Sequence, residues 1–284
     1  MAEKNTRLKI FHAGYCTHPE HIILRNKNRK DIPFPAMFAL IMHPQRGPML
    51  FDTGYSERFF SETKRFPSSI YRRITPVHFS EKDAAAHQLQ QYGVAAKDIQ
   101  YVVISHFHAD HIAALGDFPN AKYIYLAKAF DDVRNRKGIS ALIRAFLPGL
   151  IPRDFMERSI TIDRKPPVEL PLDYIPFRWG WDLCEDMSVI AVELPGHAVG
   201  QIGLFINTDV KTRYFLIADA CWLQQSYQQN IMPHPITRLL FADYKEYRKT
   251  LEKIHQIYLE RPQLHIIPSH CMKTVTQHEH NTQS

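Results

Sequence analysis

Hydrophobic positions in this chain fall into short apolar runs separated by polar turns. In the first third the runs read as strands: LKIFHAGYC (8–16), AMFALIMH (36–43) and PMLFDTG (48–54), with HPQRGP at 43–48 as a hairpin-like turn. That start is antiparallel. Ser80 followed by Asp83 is a capping-box pattern, which predicts a helix running through Gln91 and stopped by Gly93. YVVIS (101–105) predicts the next strand, and KYIYL (122–126), SVIAVEL (188–194), QIGLFI (201–206), RYFLIA (213–218) and LHII (264–267) predict the rest. A long helix precedes the last strand: Asp243 caps it, Glu246 sits three residues on, and Tyr247, Leu251, Ile254 and Tyr258 recur on one face. Strands therefore cluster in two groups, each with helices attached. No repeat or linker divides the chain, so one domain over residues 1–284 is expected, with a polar, frayed tail from about 275.

Composition narrows the class. A hydrophobic content of 45% over 284 residues supports a buried core and excludes disorder for the bulk of the chain. The polar start MAEKNTRLKI has no apolar segment with a cleavage site, and the apolar runs fall short of a bilayer span, so a soluble, cytoplasmic protein with no membrane partner is expected. Cys16, Cys184, Cys221 and Cys271 are widely spaced, which predicts reduced thiols, with Cys221 and Cys271 as small buried hydrophobes. The net charge of +6 comes in short clusters, RNKNRK at 25–30 and RNRK at 134–137, which read as solvated surface. A nucleic-acid partner is not expected.

The candidate chemistry sits in SHFHADHIAAL (105–115), directly after an apolar strand. His106 and His108 are one residue apart on extended backbone, so both rings project to the same side and can share a metal. Asp110 and His111 follow as the chain turns into a helix, giving a second partial donor set. Neither set is complete, so further donors must come from distant strand ends. His197 in LPGH, Asp219 at the end of RYFLIAD and His270 after LHIIPS supply them. The expected assignment is His106, His108 and His197 on one divalent metal, Asp110, His111 and His270 on the other, with Asp219 bridging. Zinc heads the choice of metal, and the mixed nitrogen and oxygen donors also suit iron, manganese or cobalt. Asp110 is the expected catalytic residue, orienting the nucleophile and passing its proton to the leaving group. His12, His21, His78, His87, His234, His255 and His265 read as packed or surface residues; His278 and His280 could bind only stray metal.

In this order, HFHADH, PGH, IAD and PSH, preceded by FDTG at 51–54, resemble the motif set of the metallo-β-lactamase superfamily. The resemblance implies an α/β (α+β) fold, an αββα four-layer sandwich with the metal site at one edge, and Asp52 as a residue that orients the ligands. A bridging aspartate disfavours antibiotic hydrolysis. It is similar to the N-acyl homoserine lactonase (quorum-quenching) branch, to glyoxalase II-type thioesterases and to some phosphodiesterases, and length, FDTG and the single final histidine look most like the lactonases. One departure is Trp222, at a position where that branch commonly carries a tyrosine that assists the carbonyl.

Two segments, 59–74 and 139–152, carry apolar side chains between polar ones and could wall a pocket above the metals. Tyr71, Phe146 and Trp222, with Trp179 and Trp181, are the candidates to meet the apolar group of an ester or lactone. These segments equally read as helices packed on the core, or as lining for a homodimer interface. Thioesterase, phosphodiesterase and slow ligand-sensing homologue stand as alternatives to a lactone or ester hydrolase.

Overall fold

The computed structural model describes residues 5–25, 29–209 and 212–280, the side chain of His280 excepted. Residues 26–28 of the basic stretch at 25–30, residues 210–211, the first four residues and the last four lie outside them. The first sheet contains β1 (Arg7–Pro19), β2 (Asp31–His43), β3 (Gly47–Phe51), β4 (Val77–His78), β5 (Tyr101–Val103), β6 (Lys122–Tyr125) and β7 (Ser159–Thr161) in the order β4-β1-β2-β3-β5-β6-β7. The second contains β8 (Val168–Glu169), β9 (Trp179–Asp182), β10 (Val189–Glu193), β11 (Ile202–Asn207), β12 (Arg213–Ala218) and β13 (His265–Pro268) in the order β13-β12-β11-β10-β9-β8. The helices are α1 (Glu20–Ile23), α2 (Glu57–Glu62), α3 (Ser69–Ile74), α4 (Ala85–Gln91), α5 (Ala109–Ile112), α6 (Ala127–Val133), α7 (Ile139–Leu142), α8 (Gln224–Gln229), α9 (Tyr244–Glu260) and α10 (Met272–His280).

Alternation along each strand builds the layers. Met37, Ala39 and Ile41 of β2 pack between the sheets with Val189 and Ala191 of β10 and Leu216 of β12. Their neighbours Ala36, Phe38 and Leu40 face outward, where Leu89 of α4 covers them; Ile190, Val192 and Ile217 face the other way, toward Leu251, Ile254 and Ile257 of α9. Both faces of each central strand are thus buried, which is why these strands read as continuous apolar runs. The result is the αββα arrangement of helix, sheet, sheet and helix layers.

Several local expectations shift. Strand β1 runs on to Pro19 and β2 begins at Asp31, while β3 ends at Phe51, leaving Asp52–Gly54 outside the ladder. The Ser80 N–H and hydroxyl both donate to Asp83, at 2.7 and 2.8 Å, but this closes a 3-10 turn at Glu81–Asp83 and α4 begins only at Ala85. The tail is helical through His280, not frayed, because Val275 packs between the sheets and His278 lies against Tyr214. All four cysteines are buried and unpaired, Cys221 and Cys271 among apolar neighbours. Among the described residues no helix is long and apolar enough to cross a membrane.

Candidate metal centre

Topology brings the motif residues to one edge. Strands β3 and β5 are parallel; β10 and β12 both run antiparallel to β11, and β13 is parallel to β12. Asp52 follows β3, His106 to His111 follow β5, and His197, Asp219 and His270 follow β10, β12 and β13. Each exit is shaped by its backbone. Asp52 has φ +57° and Ala218, just before Asp219, φ +47°, so the chain turns sharply there. Before His197, Gly196 has φ +127° and packs so tightly on α9 that a Cβ would lie 2.1 Å from the Tyr247 nitrogen.

Three groups of donors result: His106, His108 and His197; Asp110, His111 and His270; and His106, His111 and Asp219. Within each, one candidate atom per residue lies within 4.8 Å of the others. The first two are the expected half-sets, and the third puts Asp219 across their junction. Asp219 Oδ1 is 3.2 Å from His111 Nε2; its Oδ2 is 3.3 Å from His197 Nε2 and 3.0 Å from His270 Nε2. Asp110 Oδ2 lies 3.4 Å from His270 Nε2.

Hydrogen bonds behind the cluster set the tautomers. The Ser105 hydroxyl donates to Asp52 Oδ2 at 2.7 Å, so the contact of His106 Nδ1 with that hydroxyl at 2.9 Å has the ring N–H donating. His111 Nδ1 donates to Asp52 Oδ2 at 2.7 Å, and His270 Nδ1 donates to the Pro35 carbonyl at 2.8 Å. Each of these rings therefore turns its Nε2 toward the centre, where those of His106 and His111 have no hydrogen-bond partner and that of His270 meets Asp219 Oδ2. Asp52 also accepts from the Ser105 N–H at 2.8 Å, so one fully buried carboxylate orients both halves. Trp222 Nε1 donates to Asp219 Oδ2 at 3.0 Å.

The fit to cations is tested by what is left over. His106 Nε2, His111 Nε2, His197 Nδ1 and Asp219 Oδ1 are buried without a hydrogen-bond partner, a costly state for polar atoms that a bound cation relieves at the inward-facing lone pairs. Burial holds His106 and His197 well below the ordinary imidazole range and pushes His108 down to about 4, so these three rings are neutral and able to ligate. The other half behaves differently. Burial opposes the charge of His111, but Asp110, Asp52 and Asp219 raise it well above the ordinary range; His270 is raised by Asp219 against the same penalty. Burial likewise opposes ionisation of Asp219, and His270, His111 and His197 outweigh it. Carboxylates that draw protons there also draw cations, and metal binding would release those protons.

The centre forms the floor of a cavity of about 280 Å³. His108, Asp110, His197, Asp219 and His270 face it, beneath apolar side chains such as Phe34, Ile74, Leu142, Ile143 and Leu240. Tyr71 and Trp222 line it. Phe146 does not: it is 2% exposed and packs in the outer core of the first sheet, past the end of α7 and after Ala145, whose φ of +46° turns the chain. Trp179 and Trp181 also lie elsewhere, on β9 near the far edge of the second sheet, where Trp181 Nε1 donates to the Lys165 carbonyl at 3.0 Å. Sequence reasoning missed His18, Cys16 and Tyr55, which line the cavity, and the orienting role of Ser105. Of the histidines given no role, His12 contacts Glu279 at 2.6 Å and His255 the Tyr227 carbonyl at 2.7 Å, both away from the centre.

Residues 38–216 match the metallo-β-lactamase superfamily, and the chain belongs to that superfamily. A relative named N-acyl homoserine lactonase AttM, from Azorhizobium caulinodans, is 25% identical over 234 residues, covering 80% of this chain and 81% of its own. Among solved structures, an N-acyl homoserine lactone hydrolase with N-hexanoyl-L-homoserine at its catalytic metal centre superposes with a TM-score of 0.73 at 18% identity, covering 97% of both chains. AidC, a dizinc quorum-quenching lactonase in complex with a product, gives 0.64 at 16% identity, covering 94% of this chain and 88% of its own.

Proposed function

We propose that the protein is a dinuclear metallohydrolase that opens the lactone ring, or cleaves the ester, of an amphiphilic small molecule, with N-acyl homoserine lactones as the substrate class. The observation that carries this reading is the set of bare, buried donor atoms on the floor of an apolar cavity. The naming of the relatives for lactone hydrolysis supports it. His106, His108 and His197 would hold one cation and Asp110, His111 and His270 the other, with Asp219 between. Zinc suits this donor set, as do iron, manganese and cobalt. Bound there, two divalent cations would supply a nucleophile at neutral pH and polarise the ester carbonyl.

The side chains do the rest. Asp110, with its carboxylate facing the cavity, takes a proton from the nucleophile and delivers it to the leaving alkoxide. Asp52 and Ser105 keep the rings of His106 and His111 in register, and the Trp222 N–H holds one oxygen of Asp219. The apolar wall receives the acyl group and excludes water from the floor. A phosphodiester is a poorer fit, since no lysine or arginine is among the described residues lining the cavity. A thioester fits the same wall and is told apart by release of a free thiol.

The deciding experiment combines metal content by mass spectrometry with ring opening of a long-chain N-acyl homoserine lactone before and after chelation. Two metals per chain and chelator-sensitive turnover are expected. Two metals with no turnover of any acyl lactone or aryl ester would overturn the substrate class. Absence of metal in both isolated and reconstituted protein would overturn the mechanism.

A further inference from the structure

Three segments reach the cavity from different parts of the chain: 64–74, 134–144 and 234–240. Each contributes to the wall, through Ile74, through Leu142 and Ile143, and through Thr237 and Leu240. Further apolar side chains of these segments face solvent: Phe66 is 72% exposed, Ile139 58% and Leu239 81%, and the wall residues Ile74 and Ile143 are themselves 63% exposed. The loop carrying Phe66 lies beside the second segment, where Pro67 is the neighbour of Gly138.

Charge is concentrated in the same place. The three segments hold nine lysines and arginines and no aspartate or glutamate, so with +6 on the whole chain the remainder is slightly acidic, at −3. Asp132 of α6 pairs with Arg136 and Arg144, and Asp131 with Arg134. Arg72 and Arg238 lie over aromatic rings, and Lys64, Arg65, Arg73 and Lys137 make no ion pair among the described residues. Exposed apolar side chains interleaved with uncompensated cations match an anionic lipid interface, where the former enter the acyl boundary and the latter meet headgroup phosphates.

We propose that this face docks on the surface of an anionic lipid bilayer, with the cavity mouth opening into the interface. An amphiphile dissolved in the bilayer then reaches the cavity acyl chain first. The docking is independent of the reaction proposed above, and its test needs no turnover.

The metal-loaded full chain is sedimented with vesicles of phosphatidylcholine alone and of phosphatidylcholine containing phosphatidylglycerol. Binding to the second, weakened by high salt and absent with the first, is the expected result. The pair Arg73→Ser and Lys137→Ser is expected to weaken it roughly thirtyfold, and the pair Ile139→Ser and Leu239→Ser about tenfold or more. These positions are exposed, and an unchanged thermal midpoint verifies that each variant is folded. Equal binding to both vesicle types, no binding to either, or full binding by the folded variants overturns the proposal. So does a dimer that the Ile139→Ser and Leu239→Ser pair dissociates while vesicles are not bound, since a second copy of the chain would then cover the face.

Discussion

At Trp222 one ring touches the junction of both donor sets. Its N–H donates to Asp219 Oδ2 at 3.0 Å, and its plane meets His197 edge-on at 5.8 Å. An indole nitrogen is a donor only, so this side chain can hold the carboxylate but cannot take or deliver a proton. Trp222→Phe keeps a ring in the wall and removes the donor; metal affinity, read by chelator competition, is expected to fall about 10- to 100-fold. Unchanged affinity would reduce Trp222 to a wall residue. Asp110 carries the opposite kind of role, because its charge and not its shape is what the reaction needs. Asp110→Asn is expected to lower kcat by about 100-fold or more while KM moves little; a matching rise in KM with kcat intact would assign it to binding instead. The candidate donors were legible in the sequence because three imidazoles and a carboxylate crowd into HFHADH at the end of an apolar strand, and His197, Asp219 and His270 each follow another. Ser105 and His18 were not: one looks like an ordinary strand-end serine, and the other sits beyond the apolar run in a part of β1 that the pattern does not reveal.

Among the elements, those with both faces buried were readable and those at the margins were not. The runs that became β2, β10, β11 and β12 are apolar on every side because two cores claim them. Strands β7 and β8 are two or three residues long and half-buried or exposed, so no periodicity marks them. Segment 139–152 divides just past the end of α7, with Leu142 and Ile143 facing the cavity and Phe146 the core after the positive-φ turn at Ala145, a division that composition does not reveal. The helix α10 was hidden by its polar sequence. Its anchoring includes His278, set against Tyr214 and His265 and pushed down to about 4 by burial. A histidine depressed in the folded state is neutral in both states above its ordinary value near 6.5, and the unfolded segment gains protons first as pH falls. Docking of α10 is therefore expected to be complete above about pH 6.5 and to weaken toward about pH 4. Hydrogen exchange of residues 272–280 measures this, and equal protection at the two ends of that range would sink the idea; His278→Gln should flatten the dependence.

Over the whole molecule, the centre is shared between the sheets. The first sheet delivers His106, His108, Asp110 and His111, the second delivers His197, Asp219 and His270, and each half-set takes residues from both. Cations bound there would tie together strand ends that otherwise meet through the apolar layer between β2, β10 and β12 and a few direct hydrogen bonds, such as Ile202 N–H to the Ser105 carbonyl at 3.0 Å and Met37 N–H to the Ser269 carbonyl at 3.3 Å. Without them, buried lone pairs and carboxylates are left facing one another, and the carboxylates raise the proton affinity of His111 and His270 against the cost of burial. Binding to the folded chain alone stabilises it by about 2.7 kcal/mol per site when free metal is about 100 times Kd. Chelation is thus expected to lower the thermal midpoint by several degrees, and zinc to restore it in a concentration-dependent way. Loss of His197, which removes a donor from one half-set only, should leave part of that response, whereas loss of Asp219 at the junction should remove most of it. The shared-centre view also predicts where the apo protein loosens: amides at the ends of β5, β10 and β12 should exchange faster after chelation, while those in α4, packed on the far face of the first sheet, should not. A midpoint indifferent to chelator and to added zinc would mean that the two sheets are held without the metals, by their apolar layer and the direct hydrogen bonds between strand ends.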